Sequence, residues 1–100
     1  MDSQFGLKIK SLREESNLFL RQVAALLEMD IAQLSKIEKG LRQMKKEQVL
    51  LIADIYKIDK TELEILWLAD KIVEIVKGNH TALQAISLAE NQIKIGKQIS

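Results

Sequence analysis

Cysteine and proline are both absent from this chain, and only four glycines and four aromatic residues occur in it. Without cysteine there is no disulfide framework, no thiolate zinc site and no sulfur nucleophile, and the chain suits a reducing compartment. Sheets and hairpins advertise themselves through turn residues, so the scarcity of glycine and proline points to an all-α fold. Phe5, Phe19, Tyr56 and Trp67 leave little for a base-stacking platform or an aromatic-lined cofactor pocket, and no cofactor is expected. No apolar run approaches the roughly 18 to 20 residues that span a bilayer, and residues 1–4 lack the basic start and apolar run of a signal peptide. A cytoplasmic protein with no membrane partner is expected.

The absences extend to catalysis. His80 is the single histidine, and one imidazole without cysteine makes no metal site. Glu14–Glu15 and Glu62/Glu64 pair only in sequence and read as helix-start or surface charges, not as an acid/base couple in an apolar pocket. There is no glycine-rich phosphate loop, no Gly-x-Ser-x-Gly and no histidine-containing nucleophile pair. No enzyme, no catalytic residue and no small-molecule ligand is expected.

What is present is the balance of one globular unit: 100 residues, 47% hydrophobic and 29% charged. Net charge is only +1, yet residues 31–46 hold Lys36, Lys39, Arg42, Lys45 and Lys46 against the lone Glu38. The positive charge is local.

Spacing and capping residues predict six helices. Phe5, Ile9 and Leu12 mark an amphipathic first helix ending near Ser16 and Asn17. A short second helix covers 20–27, with Val23, Ala24 and Leu27 on its apolar face. Asp30 with Gln33 forms a capping-box pattern that starts a third helix at Ile31, and Gly40 stops it after Lys39. A basic loop over 40–45 leads to a fourth helix, 46–56. Asp59 with Glu62, or Thr61 with Glu64, starts a fifth over 61–77, apolar on several sides and therefore buried on several sides. After Gly78 and Asn79, Thr81 with Gln84 caps a sixth helix to about residue 94, leaving 95–100 as a frayed tail.

Two short helices joined by a tight turn have the dimensions of a helix-turn-helix. Ala24 lies where the helices cross, Leu27 and Leu34 seal the angle, and Ile37 anchors the third helix. With that face buried, Ile31, Ala32, Gln33, Ser35 and Lys36 take the outward positions that a recognition helix presents to base edges. Capping competes for the Gln33 amide. Lys36 is the first choice for guanine contact, and Ile31 and Ala32 can meet thymine methyl groups. Arg21, Lys39, Arg42, Lys45 and Lys46 supply the phosphate-neutralising flank.

At these residues the chain resembles the phage repressor and Cro-like (XRE-type) helix-turn-helix family of transcriptional regulators. The likeness rests on Leu12-Arg13, on LRQVAALLEMDIAQLSKIEKG over 20–40, and on LLIADIYKID followed by EL, and it covers roughly 5–66. It implies a five-helix repressor-like domain and an ion pair between Arg13 and Glu38. An arginine fork holding that glutamate inward also fits a net-positive segment facing DNA. Three positions depart from the family's habit: Phe19-Leu20 replaces a polar helix start, Glu28 stands where the turn often has glycine, and Met44 stands where proline is frequent.

The resulting expectation is a sequence-specific, DNA-binding transcriptional regulator acting as a homodimer on a palindromic operator, with double-stranded DNA and a second copy as partners. Residues 1–66 would form the DNA-binding domain. Residues 61–100 would form a helical dimerisation extension of the same compact unit, with Ile65, Trp67, Leu68, Ile72, Ile75 and Val76 at the interface. The alternative is a helical protein-interaction module, antitoxin-like or scaffold, that kept the fold without reading DNA, for which Phe19, Leu20, Ile31 and Ala32 speak as exposed apolar residues.

Overall fold

A computed structural model describes the backbone of residues 3–99 and the side chains of residues 3–97. Six helices follow one another: α1 (Gln4–Glu15), α2 (Leu20–Leu26), α3 (Ile31–Glu38), α4 (Lys46–Tyr56), α5 (Lys60–Val76) and α6 (Ala82–Ile99). No strand occurs among the described residues. The first five helices close around one core, in which α1 lies on α3 and α5, α2 on α3, and α4 on α5. Every element contributes to it: Phe5 and Ile9 from α1, Val23 and Ala24 from α2, Leu34 and Ile37 from α3, Val49 and Ile52 from α4, and Leu63 and Trp67 from α5.

Local chemistry sets the boundaries. The Ser3 hydroxyl accepts from the Gly6 N–H at 2.8 Å and opens α1. Asp59 Oδ1 accepts from the Thr61 N–H at 2.9 Å, so α5 begins at Lys60, one residue ahead of the expected start. Gly40, at φ +79°, takes the left-handed conformation beyond the end of α3. Two expectations need correction. The Asp30–Gln33 capping box does not form: Asp30 is the N-cap of α3, but its side chain makes no capping hydrogen bond. The tail is also not frayed over 95–99, since α6 runs to Ile99, its middle supported by the Glu90–Lys94 pair at 3.4 Å; Ser100 lies outside the described residues.

Two contacts invisible to periodicity lock the body. A Cβ added to Gly6 would lie 2.6 Å from the Glu38 carbonyl oxygen and 2.7 Å from that of Ile37, so glycine is what lets α1 cross the end of α3 at backbone contact. At the other side, Asp70 of α5 accepts from the Ser3 hydroxyl and from the backbone N–H groups of Gln4 (3.2 Å) and Phe5 (3.0 Å). Its carboxylate thus satisfies the donors that the first turn of α1 would otherwise leave unmatched, where the helix dipole favours negative charge.

Helix α6 is different. All its described side chains beyond Ala82 are exposed, and the outer face of α5 is open as well.

Candidate nucleic-acid interface

The angle between α2 and α3 is built from small and branched side chains. Val23, Ala24, Leu27, Leu34 and Ile37 are all buried, and the short side chain at Ala24 permits the close crossing. The turn closes through Glu28 N–H to Ala25 O (3.2 Å) and Met29 N–H to Ala24 O (3.0 Å). Glu28 itself holds φ +55°, a left-handed conformation that glycine adopts without a Cβ penalty. The departure from glycine at this position therefore leaves the turn geometry in place and adds strain.

With Leu34 and Ile37 inward, α3 turns its other face out. Ile31, Ala32 and Lys36 are exposed, and Gln33 and Ser35 are half-buried. Because the Asp30 box is absent, the Gln33 carboxamide is not engaged in capping its own helix. The basic flank follows at once. Lys39, Arg42 and Lys45 are exposed, while Lys46 is also exposed but reaches Glu64 at 3.5 Å, which shares its charge with α5. The loop bearing these cations is pinned by Met44, buried among core residues, whose carbonyl oxygen accepts from the Trp67 indole N–H at 2.6 Å.

That hydrogen bond fixes the place of Trp67 within one chain. Expected at a subunit interface, it is only 8% exposed, because its ring fills the space beneath the basic loop and carries the Lys71 ammonium 3.8 Å from its centroid. Ile65, Leu68, Ile72 and Ile75 are exposed and Val76 is half-buried.

At the start of α2 the missing side-chain cap is replaced from within. Gln22 Oε1 accepts from the Phe19 N–H at 2.7 Å, and the Arg21 guanidinium stacks over the Phe19 ring, 4.7 Å from its centroid. Arg21 is thereby held at the same end of the motif as an exposed aromatic ring.

Behind α3, Arg13 Nε donates to Glu38 Oε2 at 2.8 Å and Nη2 to Oε1 at 3.0 Å, a two-pronged fork, while Nη1 donates to the Leu18 carbonyl at 3.0 Å. Only 5% of the Glu38 side chain and 13% of that of Arg13 is exposed. The hydrogen bonds to Glu38 raise the Arg13 pKa above its ordinary value, with burial opposing them. Burial, helped by the Glu38 charge and opposed by that of Arg13, pushes the Tyr56 phenol up to about 12. The acidic charge of the basic segment is thus turned into the core, leaving the outer face of α3 and its loop dominated by cations.

Gly6, Asp70, Tyr56 and the Met44–Trp67 bond are supports that the sequence reading passed over. Only Gly6 carried a signal, as a glycine inside an otherwise regular helical pattern.

A short helix, a tight turn and a second helix with an exposed outer face define a helix-turn-helix. The chain belongs to that family: the family model described as Helix-turn-helix domain matches residues 4–66. Neither a curated protein nor a solved structure gives a significant match. No helix among the described residues is long and apolar enough to cross a membrane.

Proposed function

We propose that the protein is a cytoplasmic, sequence-specific DNA-binding transcriptional regulator of the repressor/Cro-like type, without enzymatic activity, acting as a homodimer on a palindromic operator. The observation that carries this reading is the outer face of α3: Ile31, Ala32 and Lys36 are exposed and Gln33 and Ser35 half-buried beside them, while Leu34 and Ile37 hold the helix down. Laid in a major groove, that face meets base edges, and Arg21, Lys39, Arg42 and Lys45 flank it toward the phosphates. Twofold symmetry then matches half-sites about one turn, roughly 34 to 36 Å, apart. Residues 1–66 form the reading head in this scheme, and residues 61–100 bring two heads together.

Selection of genomic fragments by the purified protein at two salt concentrations tests the proposal. Enrichment of one palindrome supports it, and in that sequence Lys36→Ala should relax preference at a single half-site position by about 1 to 3 kcal/mol. A protein-interaction module is the second reading, favoured by Phe19 at 59% and Ile31 at 51% exposure, apolar groups where polar contacts would serve DNA better. Uniform, salt-sensitive binding, or none, would support that reading instead.

A further inference from the structure

The chain exposes more surface than a body of its size should. Its accessible area is 7348 Å², against roughly 5,800 Å² for a compact 11.4 kDa protein. Its radius of gyration is 15.6 Å, against about 13 Å for 100 compacted residues. An excess on the order of 1,500 Å² per chain is what an obligate homodimer hides, since such interfaces bury about 1,000 to 2,500 Å² on each partner.

The excess lies on two seams. On α5, opposite the Leu63–Trp67 core face, Ile65, Leu68, Ile72 and Ile75 recur at three- and four-residue steps, as in a coiled coil, and all are exposed. On α6 the same steps give Ala82, Ile86, Ala89 and Ile93. The first seam is bulky throughout, whereas the second alternates small and large. Bulky knobs fit best against a helix whose small residues open holes for them, so α5 suits α6 better than either suits itself.

The two seams do not meet within one chain: Ile65, Leu68, Ile72 and Ile75 on α5 and Ile86, Ala89 and Ile93 on α6 are all exposed, and the turn between the helices is held by bonds of its own. Lys77 is extended and Gly78 sits at φ +81°. Asn79 donates to the Val76 carbonyl through both its backbone N–H (3.1 Å) and its Nδ2 (3.2 Å), and Ala82 N–H donates to Asn79 O (3.2 Å). These bonds hold the turn, and both seams stay open to a second chain.

We infer that the homodimer on which the proposed function rests is built by reciprocal exchange. The α6 seam of each copy packs on the outer α5 seam of the other, giving an intermolecular four-helix bundle.

A chain without cysteine makes the test direct. Leu68→Cys and Ile86→Cys proteins, each with native Trp67 emission, are oxidised separately and as an equimolar mixture, and the unaltered chain is sedimented at micromolar concentration. Reciprocal exchange predicts a dimer in sedimentation and cross-linked heterodimer in the mixture at several-fold the yield of either single variant. A dimer with equal cross-linking in the separate samples would overturn the exchange but spare the homodimer. A monomer, with cross-linking only inside a chain carrying both substitutions, would overturn both. Operator selection scores base reading separately: enrichment of one sequence, half-site or palindrome, supports it whatever the state of association, and uniform binding or none overturns it.

Discussion

Leu34 in α3 is 0% exposed and Leu83 in α6 is 80% exposed, although both are leucines in regular amphipathic helices. The first five helices form a body in which each apolar side chain of the inner face has a partner. The outer half of α5 and the described side chains of α6 beyond Ala82 form an arm whose apolar side chains are left uncovered. Helical periodicity is equally good in both, so the pattern of apolar residues states which face will be covered and not what covers it. Most helical stability in proteins comes from packing of an amphipathic face, and the described side chains of α6 beyond Ala82 leave that face exposed within their own chain. In the proposed dimer the arm draws its stability from association, while the body carries its own.

Substitutions sharpen this contrast, beginning with those that strike the body hardest. Removing either partner of the Arg13–Glu38 fork leaves a buried charge uncompensated, and Arg13→Met or Glu38→Gln should cost about 3 to 5 kcal/mol. Denaturant melts followed by Trp67 emission would read this, and a loss below roughly 1 kcal/mol would place the pair in the class of surface ion pairs. The loss should be the same at every protein concentration. Substitutions along the α6 seam, such as Ile86→Ala, should instead destabilise only where dimer forms, with the effect fading on dilution.

A smaller effect is expected at Gly6. Gly6→Ala pushes a methyl group against two backbone carbonyls that cannot rotate aside, and a loss of about 1 to 3 kcal/mol should appear in the same melt. Wild-type stability in that variant would mean that α1 and α3 can separate slightly without penalty.

Relief of strain should be smaller still and of opposite sign. Glu28→Gly lets the turn hold its left-handed conformation at no Cβ penalty, and a gain of up to about 1 kcal/mol is expected. Unchanged half-site preference in the same variant would show that the turn geometry, and with it the aim of α3, is preserved.

Tyr56 gives the mildest probe, through pH. Its phenol ionises near 10.0 when unfolded and about 12 when folded, so between those values the unfolded chain has released a proton that the folded chain keeps. Stability is full below pH 10 and declines as pH rises toward 12. As the single tyrosine, Tyr56 can be followed by its ultraviolet absorbance. A midpoint near 10 in the folded protein would show that the ring is solvated.

The order of the helices was legible because their ends carry local chemistry: Asp59 before α5, Gly40 after α3, and the apolar set of α2 and α3 on either side of a tight turn. The outward set of α3 was legible for the same reason, since fixing Leu34 and Ile37 inward fixes the others. What escaped were meetings between residues far apart in sequence. Nothing near Asp70 marks it as the cap of a helix that begins 66 residues earlier, and nothing around Trp67 distinguishes a ring under the basic loop from one at an interface. The Asp30 box failed in the other direction, because a capping pattern in sequence does not oblige the side chain to turn back. Position alone argues for a frayed tail, whereas helix-forming residues carry α6 through Gly96.

The bond from Trp67 to the Met44 carbonyl makes the protein its own optical instrument. The chain has one tryptophan, and its indole spans from the cationic loop on one side to the helix bearing the proposed association seam on the other, under a charged ammonium from Lys71. Emission from that one ring should therefore respond separately to DNA reaching the loop and to a second chain reaching α5. The two events can then be timed in a single unlabelled mixing experiment, and the order of assembly, dimer before DNA or half-site before dimer, read directly from the sequence of the two signals.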